Sequence, residues 1–277
     1  MKLHTLYITC AVVMLSSCRD KIDFDYNTIS PLCVIEGYLT NELENSVVKS
    51  NVTVTVGTTQ DMDVDAGTNP IIDAKVMITG DDCTSLSLVH VSNGIYSTDQ
   101  TFAAKVGATY TTTVIVGDDV YISSSQMKSA TPVDSVWFAW EKIVSEDMLT
   151  LKFRFQDVPD EETFYLYRVC RNGMPYKWGV FKDLGYKNAM IEKTISCLSK
   201  RSIEENDDDD YDKMLAEGDS ITFRLSVIDE AAYDYLYSLQ MSKSNHANAI
   251  GNFTGGALGY FIANATSEKR IRLHLPE

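Results

Sequence analysis

The sequence predicts a mainly β protein with two β-sandwich domains, the second carrying one helix. Three observations carry this. Short runs rich in Val, Ile, Thr and Tyr recur along the chain, separated by Gly, Asn or Asp. Thr131-Pro132 divides the runs into two series, and proline cannot donate to a strand ladder. Only the stretch near 230–243 spaces its apolar residues with a helical period.

Composition sets the outer bounds. The 277 residues suffice for one large or two ordinary domains, and 44% hydrophobic with 23% charged residues suits a packed globular chain. Lys and Arg number 24 against 39 Asp and Glu, for a net charge of −15. That field would repel phosphate, so no nucleic-acid partner is expected. With four His in all, a multi-histidine metal centre is not expected either.

Lys2 and His4 precede an apolar run from Leu6 to Leu15, followed by Ser16, Ser17 and Cys18. A basic start, a short apolar stretch and small residues before a cut make a secretory signal. The run of roughly 10 residues is too short to span a bilayer. Leu15-Ser16-Ser17-Cys18 resembles a bacterial lipobox, which implies removal of 1–17 and acylation of Cys18. Residues 18–29 then read as a tether. Arg19 stands where an inner-membrane retention signal has Asp, and Asp20, Asp23 and Asp25 resemble an acidic surface-export signal. The expected location is therefore the outer membrane, on the extracellular side.

The first series, within 30–131, comprises strands near 32–40, 51–57, 71–79, 84–91, 109–116 and 119–125. Gly117-Asp118-Asp119 supplies a hairpin turn between the last two. The phrases from Asp73 to Ile78, Gly94-Ile95-Tyr96 and Gly107-Ala108-Thr109-Tyr110 resemble transthyretin-like, immunoglobulin-like sandwiches. The second series, within 132–277, places strands near 134–143, 148–156, 163–171, 177–182, 220–228 and 258–263. Asp229 is the expected N-cap of the helix, with Ala232, Tyr235, Leu236 and Leu239 as its buried stripe.

Besides Cys18 and the Cys within the signal, four cysteines remain: Cys33, Cys83, Cys170 and Cys197. An exported chain can keep disulfides, and four cysteines allow three connectivities. Pairing within domains would join Cys33 to Cys83 and Cys170 to Cys197. Their spacings fit neither a zinc site nor a thioredoxin-like motif.

Chemical motifs fail for identifiable reasons. Gly218-Asp219-Ser220 imitates an esterase block, but neither downstream His has the Asp three residues earlier that would orient it. These residues are expected to form a turn entering a strand. Asp61, Asp63 and Asp65 alternate like a calcium loop, yet Ala66 and Ile72 replace its Gly and Glu. The acidic run 204–212 reads as a solvated loop, open to calcium or a basic partner. Glu36 is the odd carboxylate of an apolar strand, expected to be buried and hydrogen-bonded. No catalytic set and no cofactor are expected.

Aromatics offer the binding candidates. Trp137, Phe138 and Trp140 place rings on both faces of one strand. Tyr176, Trp178 and Tyr186 lie in a segment rich in Gly, Pro and Lys, where rings can stack on an oligosaccharide or grip a peptide.

Four segments in order resemble an uncharacterised lipoprotein family of the Bacteroidota: Val34-Ile35-Glu36-Gly37-Tyr38, Pro132-Val133-Asp134-Ser135-Val136, Tyr233 to Leu239, and Gly256 to Phe261. Members are usually encoded beside TonB-dependent transporters. The resemblance implies an accessory component of nutrient uptake, and it brings no catalytic residues. An adhesin or structural lipoprotein without a small ligand is the alternative.

Overall fold

The computed structural model describes residues 30–44, 47–60, 68–157, 162–183, 190–205, 215–245 and 251–276. Cys18, the signal, the tether, Tyr186, the Asp61–Asp65 motif and the acidic run beyond residue 205 lie outside them.

Strands dominate, as the sequence predicts. In chain order they are β1 (Cys33–Glu44), β2 (Val47–Thr58), β3 (Asn69–Pro70), β4 (Lys75–Gly80), β5 (Ser85–Ser92), β6 (Ile95–Ser97), β7 (Thr109–Val116), β8 (Asp119–Gln126), β9 (Val133–Ile143), β10 (Glu146–Gln156), β11 (Phe164–Arg171), β12 (Met174–Lys182), β13 (Met190–Ser199), β14 (Ser220–Ile228) and β15 (Leu258–Arg272). Two helices, α1 (Lys200–Glu205) and α2 (Glu230–Asn245), and a 3-10 turn at Thr254–Gly256 complete the described elements.

One hydrogen-bonded path runs β12-β11-β14-β15-β1-β2-β6-β5-β4-β7-β8, with β3 alongside β2; β13, β10 and β9 form a second sheet. Alternation explains the layers. In β7 the residues Tyr110, Thr112 and Val114 are buried while their neighbours are half-exposed. The strands from β15 through β8 curl around a first core that includes Ile35, Val54, Ile78, Tyr110 and Met127. A second core, centred on Phe153, Phe155, Tyr165 and Phe223, fills the space between the three-stranded sheet and β11 and β14. Phe153 and Phe223 have ring centroids 4.5 Å apart. On the opposite face of β11 and β14 lies α2, with Ala232, Tyr235 and Leu236 in a third cluster. Asp229 caps the helix by accepting from the Ala232 N–H at 2.9 Å.

Pro132 falls between the first two cores, yet residues 31–277 form one compact unit. The reason is β15. Its first half pairs in parallel with β1, from Val34–Leu258 to Asn41–Ala265, and supplies Phe261 and Ala263 to the first core. Its second half pairs antiparallel with β14, from Ser226–Thr266 to Ser220–Arg272. Gly259 permits the β1 contact: at φ +114° it lies where a Cβ would sit 1.8 Å from the Ile35 carbonyl oxygen.

Strand β13 was not among the expected elements. It is an edge strand whose core side, Ile191, Ile195 and Cys197, is interrupted by Lys193, with its ammonium 5.1 Å from the Phe181 ring. An inward lysine blunts an edge against further pairing and also hides the alternation.

The four thiols Cys33, Cys83, Cys170 and Cys197 are free, which corrects the proposed pairings. Val169 faces the second core, so its neighbour Cys170 points from the other face of β11; Cys197 is buried inside that core. Cys33 is buried in the first core, whereas Cys83 is exposed beyond β4 at φ +72°.

Candidate functional site

The face of the central sheet that carries α2 also carries a set of half-buried polar groups. From β1 come Glu36, Tyr38 and Thr40, alternate residues on one face. Tyr260 stands opposite Glu36 on β15 and Asn264 opposite Thr40. Helix α2 lowers Tyr235 onto them: its ring centroid lies 5.4 Å from that of Tyr260, and Tyr38 meets Tyr260 edge-on at 5.2 Å. From β11, Arg168 places its guanidinium 4.2 Å from the centre of the Tyr38 ring.

Burial governs the electrostatics here. It pushes the Tyr38 phenol up to about 12, against the attraction of Arg168, and the Tyr235 phenol to about 12, with Glu36 adding to the effect. Burial also raises Glu36 above the usual carboxylate range, partly offset by Arg168. Among the described residues no side chain hydrogen-bonds to Glu36, contrary to the expected satisfied acid, and no carboxylate forms an ion pair with Arg168. Arg168 Nη2 is buried without an acceptor. So is Asn264 Nδ2, in a residue only 1% exposed, while Asn264 Oδ1 accepts from Thr40 Oγ1 at 3.0 Å. Unmet buried donors cost free energy, so such groups call for an acceptor.

Glu36 was visible in the sequence as an acid among apolar neighbours. Arg168 and Asn264 were not, since each sits in an ordinary alternating strand.

The predicted aromatic site is dispersed. A bulge in β12 opposes Val169 to Lys177 and Cys170 to Pro175, leaving Tyr176 unmatched. Tyr176 and Phe181 consequently face the second core, whereas Trp178 shares the α2 face with Val180. Tyr176 is partly buried beside Cys197, and burial raises its phenol. Trp178 is 38% exposed. On α2, Tyr233 stacks on Tyr237 at 5.5 Å and meets Phe164 at 4.9 Å. Trp137 lies under Arg154 on the outer face of its sheet, while Phe138 and Trp140 pack on the second core.

Asp219 accepts from the Ala216 N–H, from Arg171 Nε and from Asn172 Nδ2 at 2.7–2.8 Å. The esterase-like block is thus the turn into β14. Among the described residues no three His, Cys, Asp or Glu side chains gather as a metal site, and no helix is long and apolar enough to cross a membrane.

A second surface is the outer face of β5, β4, β7 and β8. Val89, Val91, Met77, Val120 and Ile122 are exposed there, in rows such as Lys75–Ile115–Val120 and Met77–Thr113–Ile122. Lys75 is the charged member of those two rows.

The two sheets and their strand order define a mainly β, sandwich-like class of protein. A family model for a domain of unknown function, DUF4249, matches residues 19–270, and the chain belongs to that family. Comparison with curated proteins finds no match. The segments 34–38, 233–239 and 256–261 lie in β1, α2 and the run into β15, and they meet at Tyr38, Tyr235 and Tyr260.

Proposed function

We propose that this protein is a lipid-anchored outer-membrane surface protein that serves a TonB-dependent nutrient transporter as an accessory, ligand-presenting component. One observation carries the reading: the family match begins at residue 19, directly after the lipobox cysteine Cys18. On this reading the family domain would begin one residue after the acylated N-terminal cysteine. Acyl chains at Cys18 would hold the sandwich at the bilayer, each buried CH₂ contributing about 0.8 kcal/mol. Trp178, Tyr233 and Tyr237 offer exposed or stacked rings for a partner, and the acidic run 204–212 would meet a basic rim.

Two measurements test it. Mass spectrometry of membrane-extracted protein is expected to show an acylated Cys18 peptide, and detergent pull-downs are expected to recover an outer-membrane transporter. Unmodified protein free in the periplasm would overturn the anchor. Pull-downs without a transporter, together with unchanged growth of a deletion strain on every nutrient, would favour the adhesin or structural reading. The exposed Val, Ile and Met side chains on the outer face of β5, β4 and β8 support that second reading.

A further inference from the structure

We propose that the face formed by Glu36, Thr40, Arg168 and Asn264 binds a neutral saccharide. The argument starts from hydrogen bonds not made. Arg168 Nη2 and Asn264 Nδ2 are buried donors with no acceptor, and the Glu36 carboxylate is a half-buried acceptor with no described donor. Arg168 is located by the Tyr38 ring and Asn264 by Thr40, and those two β1 residues lie one two-residue strand step apart, about 7 Å. Glu36 lies one further step along the same face. Two buried donors without an acceptor and a half-buried carboxylate therefore line one short track.

The chemistry selects the ligand. A hydroxyl both accepts and donates, so one sugar hydroxyl can accept a hydrogen bond from Arg168 or Asn264 and donate one to Glu36. A carboxylate ligand would satisfy the donors but would confront Glu36 and a chain of net charge −15. A cation would find Glu36 but also Arg168. A neutral polyol meets all three groups. Buried donors left unpaired without the ligand also explain selectivity, because an analogue lacking the hydroxyl restores nothing.

This inference deepens the nutrient-presenting part of the proposed function and rests on it for its biological meaning. Its test is direct binding, so its failure leaves transporter docking standing, and loss of docking leaves this test intact. Calorimetric titration of the full chain would use glucose, galactose, mannose, maltose and cellobiose, with glucuronate and triglycine as the competing chemistries. The expected result is saturable binding of at least one neutral sugar. Arg168→Lys, which keeps the charge and loses the planar fork, is expected to weaken it about tenfold or more; Glu36→Gln is expected to weaken it less. Arg270→Gln, outside the track, is expected to change nothing, and near-UV circular dichroism checks that each variant is folded. The proposal is overturned if no neutral sugar binds, if Arg168→Lys binds equally well, or if glucuronate or triglycine binds in place of sugar. A crystal grown with excess sugar that shows only water at Arg168 Nη2 and Asn264 Nδ2 would also overturn it.

Discussion

Arg168 lies over the ring of Tyr38, although the two residues belong to strands three apart in the sheet. Arg168 is level with Arg224 on β14 and thereby with Glu268 on β15, whereas Tyr38 is level with Ile262. In a flat ladder those levels are about 20 Å apart. The contact exists because β15 changes partner after Ala265, leaving β1 and taking up β14, so that the two parts of the sheet close toward each other on the α2 face. The pair is a clasp across that bend.

A double-mutant cycle measures the clasp. Tyr38→Leu and Arg168→Met are each expected to destabilise, and their coupling to reach about 1 kcal/mol, since the guanidinium is partly desolvated. Denaturant midpoints that add within error would show that the ring and the cation act independently.

Glu36→Gln is expected to stabilise the protein at neutral pH. Burial raises the folded carboxyl above its ordinary value of 4.5 more than Arg168 lowers it. The native state therefore holds a proton that the unfolded chain has released, and wild-type stability falls as pH rises through that window. The melting temperature of the variant should exceed that of wild type at pH 7, and the difference should vanish below pH 4.5, where the acid is neutral in both states. A constant difference at all pH values would refute the titration account.

Gly259→Ala should be far more damaging than Gly256→Ala. Both glycines have positive φ, +114° and +80°, but a Cβ at 259 meets the Ile35 backbone while one at 256 meets nothing within 4 Å. The substitution at 256 carries only the left-handed penalty of about 1–2 kcal/mol. That at 259 forces β1 and β15 apart and is expected to cost about 4 kcal/mol or more, read as loss of soluble folded protein. Equal effects would mean that the close approach is easily relaxed.

Val144 offers a stabilising change. It is 98% exposed at the β9–β10 turn and sits at φ +59°, where a β-branched residue is strained. Val144→Asn or Val144→Gly should relieve about 1 kcal/mol and raise the melting temperature by ~2–4 °C. An unchanged or lower melting temperature would show that the valine is held there by something other than the turn.

Much of the fold was legible in the sequence. Alternation located most strands, and the spacing of Ala232, Tyr235, Leu236 and Leu239 with Asp229 ahead of them located α2 and its cap. These features depend on neighbours a few residues away. Strand β13 is hidden from the sequence because Lys193 breaks its apolar side, and pairing cysteines within a domain fails for Cys170 and Cys197 because strand parity decides which face each thiol takes.

What the sequence by itself determined is the class of fold, most of its strands with α2, and Glu36 as an acid out of place. Only the tertiary structure decided that Glu36, Arg168 and Asn264 share one face, and that Tyr176 and Trp178 do not. The reason is range. Periodicity reports which side of its own strand a residue occupies, but not which distant strand will lie beside it. Thr40 and Asn264 are 224 residues apart in the chain, and their hydrogen bond exists because β15 returns to pair with β1.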